Sequence, residues 1–381
     1  MTLILVYNII ESLISIFASV FDITTDLRNS MDFLRYNVTN GSNQENGIIE
    51  RSDPLWTGIG IGIVFLPGLL SIPLFFTTAI TNRSWKGAIA ALILSLFYPI
   101  TLIVVQLLML LIACTGRGGN GKNRGIQGVA MTMVGLEAFW ESFPQMVLQV
   151  CTLLYGYPIT PIQRVTIITS FILLAKTSIS YDMMMTTSDL TLNETVKHIL
   201  KTMPCYFTTI VSRVLSISLT ISYLRIWSIV PITILYLELV LLSYRRYSKQ
   251  KDRTNWDIFF SVYYSSLCNI GGINANNFSD AIRAEEKGVT DEELEASTWF
   301  IKLSSVITFL HHTAVLVTIV LVSWYHEGYL AQDQFGDLLV KKEEFFWFEN
   351  LNWVFGGTIL LGFYGMVLSL YRVSSIVRVK L

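Results

Sequence analysis

The sequence predicts an all-α polytopic membrane protein with about eight transmembrane helices and two more that enter the bilayer only partway, arranged as inverted repeats. Three observations predict it. Of the 381 residues, 52% are hydrophobic and 14% charged, with mean hydropathy +0.53, far from the balance of a soluble domain. Runs of about 20 apolar residues, the length that crosses a hydrocarbon core, recur from one end to the other. Two further apolar stretches, 131–155 and 258–276, are interrupted, the first by polar residues and Pro144, the second by Gly271 and Gly272. The net charge of -1 argues against nucleic acid as a partner, which would require a basic surface. Cys114, Cys151, Cys205 and Cys268 lie in or beside apolar segments without metal-ligand spacing, so they read as packing residues and no metal or cofactor is expected.

The first span, 3–25, begins near Met1 with no basic n-region, and Asp22 and Asp26 stand where a signal peptide would carry small residues, so it reads as a retained helix. Asn8, Glu11, Ser15, Asp22 and Asp26 follow i+3/i+4 spacing, with Ser12 and Ser19 beside them, and give this helix a polar face with three carboxylates. Spans follow at 57–80, 87–113, 162–184, 199–223, 227–244, 298–324 and 352–372. Between them, 280–296 is charged and helix-prone, which suits a cytoplasmic helix. The loop 326–350 ends in the aromatic cluster Phe345 to Phe348, suited to a membrane interface.

Charge placement sets the orientation. The run RRYSKQKDR at 245–253 and the tail residues Arg372, Arg378 and Lys380 are both expected on the cytoplasmic side. Spans 298–324 and 352–372 already join those two points, so a full crossing at 258–276 would break parity, and that segment is expected to be re-entrant. With 131–155 re-entrant as well, the N-terminus falls inside and the 27–56 loop outside. That loop carries Asn37-Val-Thr and Asn40-Gly-Ser, glycosylation acceptors where they reach the lumen. Arg117, Lys122 and Arg124 count against this arrangement, since they too would lie outside. The order span, span, broken segment, span then occurs twice, in 57–184 and in 199–324, starting from opposite faces; inverted repeats of this kind are found in proteins that move something across a bilayer.

The segment Met131 to Tyr155, MTMVGLEAFWESFPQMVLQVCTLLY, carries Glu137, Glu141, Gln145 and Gln149 at four-residue intervals in otherwise apolar sequence. On a helix these share one slowly drifting face. A charged side chain near the bilayer centre costs roughly 2.5 to 3.5 kcal/mol on insertion scales, so the stripe is expected to face other helices or a wet crevice. Pro144 frees the carbonyl of Trp140 and is expected to kink or end the helix there. The result would be a hydrophilic patch able to meet a cation, a proton or a lipid headgroup, or else a buried polar knot that fixes helix packing.

Cations inside the spans are scarcer. Arg213 lies mid-span in TTIVSRVLSISLT, with Thr209, Ser216 and Thr220 at helical spacing, and is a counter-ion candidate for Glu137 or Glu141. Lys176 and Asp182 lie nearer a cytoplasmic end, where Lys snorkels and Asp is hydrated. His311 and His312 point about 100° apart on a helix, and no Cys or acid accompanies them at ligand spacing, so no metal site is expected there. No nucleotide-binding loop, HExxH or nucleophile elbow occurs, and catalysis of bond chemistry is not expected.

The segment Glu137 to Tyr155, with E-x-x-x-E-S-F-P-Q-M-V-L-Q-V, resembles the ExxPQxxLQ signature of the XK-related family, membrane proteins that include caspase-activated phospholipid scramblases. The opening helix, with Glu11 followed by Phe21-Asp22-Ile-Thr-Thr-Asp26, resembles that family's acidic first helix, and the likeness extends in span order across nearly the whole chain. The resemblance implies eight spanning helices with two partial ones, and a hydrophilic path for lipid headgroups to which Glu11, Asp22, Asp26, Glu137, Glu141, Asp182 and Arg213 would contribute. It implies a plasma-membrane phospholipid scramblase that exposes phosphatidylserine, as in apoptosis, or a quiescent relative. Membrane phospholipids are its expected partners, with a single-pass membrane protein or a second copy of the chain beside them. The chain ends in VSSIVRVKL without a DxxD-like site, so activation by caspase removal of a tail is not expected. A secondary transporter using Glu137, Glu141 and Arg213, and a structural subunit of a heteromeric complex, remain alternatives.

Overall fold

The structure, a computed structural model, describes residues 2–32, 37–38, 49–50, 54–81, 85–115, 133, 135–154, 161–186, 192–248, 291–325 and 351–378, together with 255, 258–259, 262–263 and 265–266. Each of the eight long apolar runs lies on helix. They form α1 (Thr2–Asp32), α2 (Pro54–Thr81), α3 (Trp85–Leu96), α4 (Tyr98–Thr115), α6 (Pro161–Thr186), α7 (Leu192–Leu224), α8 (Ile229–Tyr247), α9 (Asp291–Tyr325) and α10 (Leu351–Arg378). The striped segment folds as a π-turn, Ala138–Ser142, running directly into α5 (Phe143–Leu154). The described chain is otherwise helical but for a two-residue antiparallel ladder, β1 (Asn37–Val38) with β2 (Ile49–Glu50).

The predicted span 87–113 is divided, and Pro99 is the reason. Proline has no N–H to give the carbonyl of Ser95, four residues back. The helix is interrupted by a turn at Phe97, although Phe97 N–H still reaches Ile93 O and Thr101 N–H still reaches Phe97 O. The Thr101 hydroxyl bonds both Phe97 O and Leu94 O, the latter seven residues away, a reach that only a bent helix allows. Gly68 of α2 sits against the freed Ser95 carbonyl: a Cβ there would lie 2.1 Å from Ser95 O. Beside it the Ser71 and Ser95 hydroxyls share a 2.8 Å hydrogen bond. Small residues thus let α2 and α3 approach backbone to backbone, which is how helices gain dispersion contact where lipid removes the usual hydrophobic drive.

In the N-terminal half α1 packs on α2 and α4, and α2 on α3. In the C-terminal half α7 packs on α9 and α10, and α8 on α9. Helix α5 stands between the halves, against α2, α6 and α7. Its apolar face enters a core built from Phe139, Phe143, Met146, Val150, Leu174 and Ile210 among others. The α7–α10 contact is close for the same reason as α2–α3: a Cβ at Gly362 would lie 2.7 Å from Ser212 Oγ.

Large apolar side chains cover the outside, including Phe17, Leu69, Leu111, Leu241 and Leu360. Apolar surface on that scale belongs in lipid, and the protein is a membrane protein. Among the described residues three helical stretches are long and apolar enough to cross on their own, Thr202–Leu224, Thr298–Leu321 and Trp353–Tyr371; Thr57–Ile72 and Tyr98–Ile112 are shorter apolar pieces. The basic end of α8 is anchored by aromatic faces, with Arg245 4.9 Å from the Trp299 ring and Arg246 5.0 Å from that of Phe300. The charged segment expected as a separate helix at 280–296 is, from Asp291 onward, the first turns of α9; 280–290, the loop 326–350 and most of 258–276 lie outside the described residues.

Candidate functional site

The polar stripe is buried against other helices. Glu137 is 8% exposed, Glu141 0%, Gln145 2% and Gln149 6%. The expected irregularity near Pro144 takes the form of a π-turn, not a break: the backbone stays helical and Phe143 N–H bonds Ala138 O, five residues back. Pro144 is the second residue of α5, immediately after the π-turn, where its missing N–H leaves the Trp140 carbonyl without the donor four residues on. The π-turn also alters the stripe. Four residues of α-helix overshoot a full turn by about 40°, whereas the wider π-turn needs more residues per revolution. Between Glu137 and Glu141 the drift is therefore reversed, and the four polar positions stay nearer one line than a plain helix would hold them.

Helices α1 and α4 close the site. Gln149 donates to Asp26 Oδ1 of α1 at 3.4 Å, and Asp26 is itself 1% exposed. One turn on, the Ser30 hydroxyl bonds Asp26 O at 2.7 Å. Further along α1, Ser19 accepts a 2.9 Å hydrogen bond from Gln106 of α4. Tyr98, at the start of α4, is fully buried, donates its hydroxyl to Met133 O at 2.7 Å, and lies within electrostatic reach of both Glu137 and Glu141. Gln145 sits between the acids and the Gln149–Asp26 pair with neither amide atom hydrogen-bonded among the described residues. A primary amide without partners at such burial forfeits on the order of 1–3 kcal/mol. The arrangement is a column of acceptors and donors, with hydrogen-bonding capacity to spare, running from Glu137 to Asp26.

The structure therefore brings together Asp26, Glu137, Glu141, Gln145 and Gln149, and adds Tyr98 and Gln106, which the sequence reading did not single out. The side chains of Glu11, Asp22 and Asp182 lie outside the described residues, although all three positions are helical. Arg213 is 5% exposed and lines a cavity between α7, α9 and α10, among whose described lining residues there is no Asp or Glu. The opposite face of α7 meets α5: Ser218 Oγ bonds Val147 O at 3.2 Å, and Ile210 and Val214 join the α5 core. Helix rotation decides this, because Val214 and Arg213 are adjacent in sequence and about 100° apart on the helix.

The His311–His312 pair acquires an acid that local spacing does not show. Glu238, in the run LYLELVLL of α8, places Oε2 3.4 Å from His311 Nδ1. A lone carboxylate in a span was the available signal. His312 points the other way, into the Arg213 cavity. Among the described residues no group of three metal-ligating side chains occurs.

No curated protein matches this chain, and no solved structure does. The family described as XK-related protein matches residues 127–267, a stretch that holds the stripe, α5, α6, α7 and α8, so the XK-related resemblance carried by Glu137 to Tyr155 is shown over that stretch.

Proposed function

We propose that this protein is a phospholipid scramblase, or a quiescent relative of one, in which the column from Glu137 to Asp26 is the polar lining for lipid headgroups. The observation that carries the reading is the burial of that polar column within an apolar bundle, with the Gln145 amide unpaired among the described residues. Headgroups cross slowly because they must leave water. Fixed carboxylates, amides and a phenol supply replacement contacts for choline, ethanolamine or serine ammonium groups while the acyl chains stay outside. The match to XK-related protein over 127–267 supports the same reading.

The accompanying topology is eight spanning helices with two partial ones, in a plasma-membrane protein with both termini cytoplasmic. Pairings between the halves support the inverted repeats 57–184 and 199–324. The third segment of the first repeat, α5, packs on the first helix of the second, α7; reciprocally, Tyr263 in the third segment of the second repeat bonds Leu70 O of α2 at 3.5 Å. Within each repeat the second helix also bonds the third segment, Tyr98 to Met133 O and Ser243 to Ser265.

The test is reconstitution into vesicles with fluorescent lipid in both leaflets and an external membrane-impermeant quencher. Scrambling makes nearly all the dye accessible with no solute gradient; a protected half that persists under calcium, proteolysis and phosphorylation treatments overturns the reading. Glu141→Gln keeps the shape and removes the charge, and is expected to slow lipid movement about tenfold, the equivalent of 1.4 kcal/mol, at unchanged expression and melting temperature. Equal loss of expression and lipid movement would instead assign Glu141 to packing.

A further inference from the structure

Ser248 closes α8, and Arg245 and Arg246 stand three and two residues before it. Its backbone N–H bonds Tyr244 O at 2.9 Å, while its exposed hydroxyl reaches Arg245 O at 3.4 Å, long for a hydroxyl donor. The hydroxyl is weakly held and open to solvent. Protein kinases whose substrate groove carries carboxylates select serines preceded by guanidinium groups, which pair with those carboxylates. Arg245-Arg246-Tyr247-Ser248 supplies two such groups. No other serine or threonine in the chain has a basic residue at both of those places.

The fold decides when that hydroxyl can react. Arg245 packs on the Trp299 ring of α9 at 4.9 Å and Arg246 on the Phe300 ring at 5.0 Å, with Arg246 5% and Tyr247 6% exposed. A kinase takes its substrate extended, so the last turn of α8 must open and both guanidiniums must leave their rings. Cation–π contacts are individually weak where they are partly solvated, and helix ends fray. The aromatic clamp thus withholds the residues that a kinase reads, while the serine itself is in the open. Phosphate opposes reclosure once it is attached. It adds a charge of about -1.5 to -2 at a helix C-terminus, where the dipole already disfavours negative charge. Residues three apart on a helix are neighbours, so a phosphate on Ser248 competes with Trp299 for Arg245.

We propose that Ser248 is a phosphorylation site for an arginine-directed serine kinase, gated by the contacts of Arg245 with Trp299 and of Arg246 with Phe300. In the transfer Ser248 Oγ attacks the γ-phosphorus of a nucleoside triphosphate held by the kinase. The Oγ–P bond forms, the bond from that phosphorus to the β-phosphate oxygen breaks, nucleoside diphosphate leaves, and the hydroxyl proton passes to the base of the kinase. The modified end of α8 then stays detached from α9. Such a site needs the cytoplasmic placement proposed above for this end of α8, and needs no lipid movement.

The experiment incubates the purified full-length protein in detergent with magnesium ATP and a serine kinase that requires arginine two and three residues before its target. Phosphopeptides are mapped by mass spectrometry. Detergent exposes both faces, so the outcome is separate from orientation, which glycosylation reads, and from lipid movement in vesicles. Phosphate is expected on Ser248 and is lost in Ser248→Ala. Trp299→Leu removes the ring and leaves 245–248 intact; it is expected to speed the modification severalfold, whereas an ungated serine would be indifferent to it. Phosphorylation is expected to lower the melting midpoint by about 2 °C, with Ser248→Ala unchanged by the same treatment. No phosphate on Ser248 in either the wild-type protein or Trp299→Leu overturns the site. Equal rates in those two proteins, or a midpoint indifferent to the phosphate, overturn the gate.

Discussion

Gly68 and Gly62 lie two turns apart on α2 and differ in what an added methyl group would meet. At Gly62 nothing lies within 4 Å, whereas at Gly68 a Cβ would fall 2.1 Å from the Ser95 carbonyl oxygen and 2.7 Å from Tyr98 Cβ. Backbone cannot swing aside as a long side chain can. Gly68→Ala is therefore expected to destabilise by about 1–3 kcal/mol through overpacking, read as a lower melting temperature in detergent. Gly62→Ala is expected to stabilise by about 0.5–1 kcal/mol, because alanine loses less backbone freedom in a helix. The pair separates close helix approach from helix propensity within one helix. The residue scale also shows what a sequence reveals of a site. Glu137, Glu141, Gln145 and Gln149 are recognisable because their spacing is local. Glu238 is not, because its partner His311 lies on another helix and becomes relevant only when α8 and α9 pack.

Two of the departures from regular α-helix among the described residues lie beside prolines. Pro99 divides one apolar run into α3 and α4; Pro144 accompanies the π-turn Ala138–Ser142. Hydrophobicity alone reads straight through the first, since Leu96, Phe97, Tyr98 and Ile100 are all apolar or aromatic. The second was legible as an irregularity but not as its form. A proline releases the carbonyl four residues back, and whether the chain then kinks, ends or widens depends on what packs beside it. Here Ala138, Phe139 and Phe143 are held in the core with α6 and α7, so the helix widens and continues. Pro144→Ala restores an N–H that can bond Trp140 O and favours plain α-helix through 138–142. The expected outcome is an equal or higher melting temperature with slower lipid movement in vesicles, because Glu137 and Glu141 would rotate relative to Gln145. A simultaneous fall in both would show that the proline serves stability alone.

For the molecule as a whole, helix positions were legible and helix neighbours were not. Apolar runs locate the helices, with α3 and α4 read as one, because length and composition suffice. The partner of Arg213 depends instead on the rotation of α7, which turns Ile210 and Val214 toward α5 and Arg213 toward α9 and α10. Orientation in the bilayer is likewise a property of the whole chain, and the expected one rests on parity together with charge. The basic end of α8, Arg245 and Arg246 against Trp299 and Phe300, marks one face. Counting back through the predicted spans puts the segment after α1 on the other. That segment holds Asn37, on the short ladder opposite Glu50, and Asn40 within the sequon Asn-Gly-Ser. Expression in cells that glycosylate is thus expected to yield a glycosidase-sensitive increase in mass that Asn37→Gln and Asn40→Gln together remove. A second sequon introduced into 249–254 should stay unmodified, since that stretch follows the basic end of α8. Modification there, with none at Asn37 or Asn40, would reverse the whole orientation, whereas modification at both places would require the 131–155 segment to cross in full.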